Sequence, residues 1–343
     1  MAPAPEGIHE ATLVPWLEAN VAGLRAPLTW TLVAGGRSNI TYRVTDAGGR
    51  AYVLRRPPLR QVLATAHDMG REHTIISALG PTDVPVPETY AYCDDPTVNE
   101  APFYVMDFVE GHVVRTRALA EKLLTESARR RAGESLIDVL GAIHAVDPDA
   151  VGLGDLGRRD GYIARQLKRW HGQLEHATSA VPEGLHEVHA RLAASIPEQG
   201  PAAIVHGDFR LDNCLLDDEG RVQAVLDWEL CTLGDPLADL GLLLVYWSDP
   251  DEDVTEDLLG YPTNTEGFLR RDDLVELYGD RTGRDLSHIG YYTAFGYWKL
   301  GCILQGVLDR YRDGAMADDG TDAASYVGRV EALADRAAAA LSA

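Results

Sequence analysis

Three side chains in the segment IVHGDFRLDNCLLDDEGRVQAVLDWE, residues 204–229, have types and spacings that could do chemistry: Asp208, Asn213 and Asp227. Apolar Ala203, Ile204 and Val205 lead into His206-Gly207-Asp208, so the motif starts where a buried strand ends. Asn213 stands five residues beyond Asp208, and Asp227 closes a second apolar strand, VQAVLDW. Two strand ends placed side by side would gather three oxygen-bearing side chains. Mg²⁺ takes hard oxygen ligands, usually one or two carboxylates completed by phosphate oxygens and water. Asn213 and Asp227 would supply that pair and leave Asp208 free as a base or as an orienter of a hydroxyl. The bland alternative is an acidic loop with a helix cap. An isolated H-x-D would not decide between them; the joint pattern of H-G-D, four residues, N, a short hairpin and D-W-E favours the chemistry. It is the order of parts in the kinase template, with a catalytic-loop Asp, an Asn five residues on and a later metal-binding Asp.

The elements that must position these groups follow from the patterning. Residues 28–57 alternate as three antiparallel strands, with glycine breaks at Gly35–Gly36 and Gly48–Gly49. Helical spacing takes over at 61–79, a proline-rich linker stops it, and the strands TYAYCD and PFYVMDFV follow. Beyond Gly111 the chain reads as helix over 117–147, 160–178 and 182–196, then as the short strands AAIVH, NCLL and VQAVLDW. From Pro236 onward it is mostly helical, interrupted at GYPTNTEG. Asp235 reads as a helix cap before Pro236, and Asp239 as a brace beneath the loop. The organisation is a strand-rich first third, a short connector and a helix-rich remainder.

VHGDFRLDN and VLDWE resemble the two signatures of the aminoglycoside phosphotransferase-like kinases, which include choline and fructosamine kinases. The resemblance covers nearly the whole chain. It is nearest to the subfamily found as a kinase domain joined to acyl-CoA dehydrogenases, through GGRSNITYRV, YVLRRPP, LGDPLADLG, IHAVDPDAVGLGDLG with YIARQLKRW, and YWKLGCILQGVLDRY. No dehydrogenase stretch is present, so a free-standing version is expected. The resemblance implies an α+β, protein-kinase-like fold of two lobes. The small N-terminal lobe, 1–105, has an antiparallel sheet and one helix; 106–111 is the hinge; the larger, mostly helical C-terminal lobe is 112–343.

The remaining parts of such an enzyme can be assigned. Gly35 and Gly36 would let backbone N–H groups approach nucleotide phosphates, with Ser38 and Asn39 adding side-chain donors. Read alone, the same stretch is a hairpin turn. A kinase needs a cation on its third strand paired with a helix carboxylate; Arg55 and Glu72 are the candidates. Arginine departs from the lysine usual in the family, but it can still bind phosphate with two parallel N–H groups. The segment YVMDFVEG would be the hinge, with Met106, Asp107 and Val109 around the base. His206 is expected to hold the loop rather than titrate. Arg165, Trp170, Trp298, Lys299 and Arg310 are candidates for the acceptor pocket, against the bland reading of two amphipathic core helices.

The expected activity is transfer of the γ-phosphate of ATP or GTP, with one or two Mg²⁺, to a hydroxyl of a small molecule. A hydroxyacyl thioester is the nearer acceptor, and an antibiotic kinase is the alternative. A non-catalytic nucleotide-binding module and a metallohydrolase using His206, Asp208 and Asp227 are further alternatives; the latter lacks a second histidine at ligand spacing. The pattern G-x-x-x-x-G-K-[ST] is absent, which excludes a P-loop kinase. With 31 basic and 53 acidic residues the formal charge is −22, so nucleic acid is not an expected partner. No apolar run approaches the ~20 residues that span a bilayer. The N-terminal stretch has no signal-peptide pattern, and four widely spaced cysteines fit a reduced, cytoplasmic setting.

Overall fold

The computed structural model describes residues 5–34, 39–59, 68–252, 262–313 and 323–342. The first part is a five-stranded antiparallel sheet of order β1-β2-β3-β5-β4. Its strands are β1 (Thr29–Ala34), β2 (Ile40–Thr45), β3 (Ala51–Arg56), β4 (Thr89–Cys93) and β5 (Phe103–Asp107). The β2–β3 hairpin closes where the Asp46 carboxylate accepts the Gly48 and Arg50 N–H groups at 2.8 and 2.9 Å. Successive side chains of a strand face opposite ways, and here the two faces have different partners. Ile40, Tyr42, Val44, Tyr52, Leu54, Phe103 and Val105 pack with Leu13 and Leu17 of helix α1 (Glu10–Asn20). Val53, Tyr104 and Met106 share a cluster with Met69, Ile75, Ile76 and Leu79 of α2 (Met69–Leu79). Alternation therefore sends Arg56 to the α1 face, where its guanidinium donates to the Gly7 carbonyl. Arg55, one residue earlier, faces α2.

Of the predicted helix over 61–79, 69–79 is helical and starts on an Asp68 cap that accepts the Arg71 N–H at 2.9 Å; residues 60–67 lie outside the described residues. α1, which has Pro15 inside it, is not among the helices expected from the sequence. A short turn of helix, α3 (Pro96–Asn99), separates β4 from β5.

The larger part is mostly helical. The predicted helix over 117–147 is two helices, α4 (Arg117–Leu123) and α5 (Glu126–Ala145). Thr125 breaks them: its hydroxyl caps α5 by accepting the Ala128 N–H, and its backbone is extended. There follow α6 (Tyr162–Glu175), α7 (Glu183–Ala194), α8 (Leu237–Val245), α9 (Arg271–Thr282), α10 (Ile289–Arg312) and α11 (Ala323–Ala340). Two small ladders lie between α7 and α8. β6 (Ala203–Val205) pairs antiparallel with β9 (Thr232–Gly234), and β7 (Cys214–Leu216) with β8 (Val222–Val225). α8 and α10 meet backbone to backbone at Gly241, where a Cβ would sit 2.5 Å from the Tyr292 carbonyl carbon. Among the described residues no helix is long and apolar enough to cross a membrane.

Candidate active site

The loop after β6 is held from below before it presents anything. The Asp239 carboxylate on α8 accepts the His206 N–H at 2.6 Å and the Gly207 N–H at 2.9 Å. Burial alone would raise the pKa of Asp239, but His144, His206 and the Gly207 amide outweigh it and hold the carboxyl below its ordinary value. His206 is fully buried. Its Nδ1 accepts the Asp208 N–H at 3.2 Å, so Nε2 carries the proton and donates to the Leu226 carbonyl at 2.9 Å. Both ring nitrogens are thus occupied, and they link the loop to the residue preceding Asp227.

The β7–β8 ladder does the rest. The Leu226 N–H donates to the Asn213 carbonyl at 2.8 Å, which sets Asn213 beside Asp227. Asn213 Nδ2 donates to the Asp208 carbonyl at 2.8 Å and to Asp208 Oδ2 at 3.1 Å. Its Oδ1 remains for a cation. Asp227 has φ +66°, an uncommon conformation for a residue with a side chain. Asp227 Oδ1 takes Arg55 Nη2 at 2.6 Å, and Arg55 Nε lies 3.1 Å from Glu72 Oε2. Arg55 therefore bridges α2 to the carboxylate at the end of β8. Burial works against its charge, but Glu72, Tyr104 and Asp227 prevail and raise its pKa further. Glu72 is 1% exposed; burial lifts its pKa, Asp227 adds to that, and Arg55 opposes it.

Two cavities open on these groups. A pocket of about 330 Å³ is lined by Asn39, Val53, Arg55, Met106, Asp107, Val109, Asn213 and Asp227 among others. Asp107 stands at its rim with its N–H donated to the Glu88 carbonyl and its carboxylate accepting the Tyr90 hydroxyl. Gly35, Gly36 and Ser38 lie outside the described residues. Asn39 is 3% exposed, and neither of its amide atoms has a hydrogen-bond partner among the described residues. It lines this pocket and also a second cleft of about 730 Å³ beneath α2. An orphaned buried amide lining the same pocket as Asn213 and Asp227 suits a polyanion with a hard cation. Among the described residues no group of three His, Cys, Asp or Glu could hold a metal. A cation bound by Asn213 and Asp227 would complete its shell with phosphate oxygens and water. A wider opening of about 1000 Å³ behind α8, lined by Pro197, Asp235, Arg284 and Tyr292, contains none of these groups.

The second cleft is lined by Gln166, Arg169, Trp170 and Gln173 of α6, by Ile303, Gly306 and Arg310 of α10, and by Glu229. Burial and neighbouring Asp227 push the Glu229 carboxyl up to about 7. Three expected pocket residues lie elsewhere. Trp298 is fully buried in the helical core and donates its indole N–H to the Leu185 carbonyl at 2.9 Å. Arg165 donates to the Arg158 carbonyl at 2.6 Å and does not line the cleft. Lys299 is buried under the loop rather than exposed in the cleft, with Nζ donating to the Gly207 carbonyl at 3.0 Å. The signal that would have selected the right faces is helical spacing. Residues 166, 169, 170 and 173, and 303, 306 and 310, each follow one face of a helix. Asp212 also lines the smaller pocket.

Fold and site together define the class: a two-lobed, protein-kinase-like phosphotransferase. A family model described as the phosphotransferase enzyme family, APH, matches residues 29–270, and the chain belongs to that family. It is 35% identical over 287 residues to acyl-CoA dehydrogenase family member 11 of Gallus gallus, covering 81% of this chain and 36% of the relative. It is 36% identical over 288 residues to member 10 of Mus musculus, covering 80% and 26%. The chain thus spans about a third or less of these relatives. A crystal structure from Ralstonia eutropha, named as a candidate aminoglycoside phosphotransferase, superposes with a TM-score of 0.82 at 31% identity, covering 97% of this chain and 98% of that one.

Proposed function

We propose that this protein transfers the γ-phosphate of ATP or GTP, with Mg²⁺, to a hydroxyl of a small molecule, and that the acceptor is a hydroxyacyl thioester or a related anionic metabolite. The observation that carries the reaction class is the Arg55 bridge between Glu72, which lines the larger cleft, and Asp227, which lines the smaller pocket with Asn213, whose amide in turn holds Asp208. The base and ribose occupy the smaller pocket around Met106 and Val109. Arg55, placed by Glu72, steadies the α- and β-phosphates. Asn213 and Asp227 hold the cation, which when bound neutralises charge on the transferring phosphate. Asp208 orients the acceptor hydroxyl and takes its proton. His206 and Asp239 keep the loop in place without touching substrate. Catalysis by such a site is mostly positioning and charge stabilisation.

The acceptor lies in the larger cleft. Arg169 and Arg310 supply exposed cations there, and Trp170 a flat apolar wall. That lining suits an acyl chain with an anionic carrier. The cleft also carries the carboxylates of Asp68, Glu72 and Glu229, with Glu72 engaged by Arg55, so a cationic acceptor is the outcome the assay has to separate. The relatives named as acyl-CoA dehydrogenases support the same acceptor class. Transfer of radiolabelled γ-phosphate to a panel of hydroxyacyl thioesters, hydroxy acids, choline and aminoglycosides tests the reading. Asp208→Asn is expected to lower kcat by roughly 10²–10⁴-fold, the range for a positioned base. Wild-type turnover in that variant, or no transfer by the wild type to any hydroxyl, would overturn it.

A further inference from the structure

We propose that Lys299 is a positioning residue for the transfer step, fixing the catalytic-loop peptide that carries Asp208 and tying it to the acceptor cleft through Trp170. The inference rests on the phosphotransfer reading of Asp208. Lys299 sits in the middle of α10 and is 7% exposed. Its Nζ donates to the Gly207 carbonyl at 3.0 Å. That carbonyl belongs to the peptide whose N–H is Asp208's, and the same N–H donates to His206 Nδ1 at 3.2 Å. The plane from which the Asp208 side chain departs is therefore held at both ends, by Lys299 on one and His206 on the other. The preceding peptide is held separately, through the Gly207 N–H on Asp239 at 2.9 Å.

The loop cannot supply this stiffness itself. Gly207 has φ +85°, and a Cβ there would come within 2.8 Å of the Leu230 carbonyl oxygen. Glycine is thus required at the most flexible type of position in the chain, and restraint has to come from outside. The Lys299 ammonium supplies it. Its Nζ also lies 5.9 Å from the centroid of the Trp170 ring. Trp170 lines the acceptor cleft, so one ammonium holds the loop and lies within cation–π range of the cleft wall. Burying an ammonium is costly even when it is paired, and burial does depress the Lys299 pKa, with Asp208 and Asp239 opposing. An apolar side chain would fill the same space without that cost, but it would leave the Gly207 carbonyl without its donor. A loss of alignment on the order of 1 Å costs roughly 10²-fold in rate.

The test is Lys299→Met beside wild type and Asp208→Asn, in the radiolabelled transfer assay with Mg·ATP. Calorimetric Mg·ATP affinity and thermal unfolding are measured on the same samples. The expected result for Lys299→Met is a kcat lower by roughly 10²-fold, with Mg·ATP affinity unchanged and with part of the rate restored in Lys299→Arg, which again offers a donor to Gly207. A kcat equal to wild type overturns the proposal, as does a loss of kcat matched by an equal loss of Mg·ATP affinity, or no restoration by arginine. Should Lys299→Met not fold, Lys299→Leu carries the same comparison, and unfolding of both assigns the residue to the core alone and overturns it. Failure of the underlying reading is separate: it shows as an inactive wild type or an active Asp208→Asn.

Discussion

The residues that could be read from sequence were those whose chemistry depends on spacing along one loop and its hairpin. Asp208, Asn213 and Asp227 come together because β7 and β8 pair and the Leu226 N–H closes onto the Asn213 carbonyl. The hairpin that joins them is short, so little else had to be known. Arg55 and Glu72 were readable for a different reason: strand alternation and helix periodicity each select one face, and both faces point at the same place. That Arg55 would reach Asp227 as well was not readable, because it depends on how the sheet lies over the second part of the chain. The bridge has an energetic consequence. Glu72 is 1% exposed and relies on Arg55 for its counter-charge. Removing one partner of a buried pair costs roughly 3–5 kcal/mol, because the other charge is stranded. Arg55→Met is therefore expected to lower unfolding free energy by about that amount in urea titration. Arg55→Lys is expected to lose less, since it keeps the charge but cannot span Glu72 and Asp227 with one fork. Equal stability of Arg55→Met and wild type would show that the bridge does not hold α2 in place.

Elements were readable where one periodicity runs unbroken, and misread where a cap or a distant partner intervenes. α4 and α5 look continuous until Thr125 is recognised as a cap. β9 is three residues long and exists because β6 needs a partner, which no local pattern announces. α6 and α10 were found, but the faces chosen on them mixed core and cleft. Between elements, the buried chain from α9 to the loop carries a titratable group. His144 on α5 contacts the Tyr278 hydroxyl on α9 at 2.7 Å and Asp239 Oδ2 on α8 at 3.4 Å. Arg284 and Asp235 also act on it. Burial depresses its pKa below the ordinary histidine value, and Asp239 only partly opposes this. The sign follows: with the folded pKa below the unfolded one, the unfolded chain binds the extra proton first. Stability contributed by neutral His144 is full above the ordinary histidine pKa and declines as pH falls through and below it. Unfolding free energy is expected to drop between pH 7.5 and 5.5, and His144→Gln to flatten that slope relative to wild type. An identical slope in the variant would place the titration elsewhere.

At the scale of the whole molecule, charge and cleft point in opposite directions. The chain carries a formal −22, which by itself would favour cationic partners. Net charge describes the surface average and not the site. In the folded chain Arg169 and Arg310 face the cleft from two helices, with Trp170 between them in the lining. Exposed cations of this kind act over about one Debye length, ~8 Å at physiological salt. Their effect is therefore local, and the remaining negative surface adds an opposing long-range term. An anionic acceptor would bind against the average field through these two groups and Arg71, which lines the same cleft. The double variant Arg169→Gln, Arg310→Gln is then expected to raise KM for a hydroxyacyl thioester roughly 2- to 30-fold, the loss of two exposed ionic contacts of roughly 0.2–1 kcal/mol each. Its kcat should change little, since neither arginine reaches the Asp208 loop. Raising salt should increase KM in wild type more steeply than in the double variant. A KM that falls for choline or an aminoglycoside while the thioester KM is unmoved would instead assign the cleft to a cation, with Glu229 as its anchor.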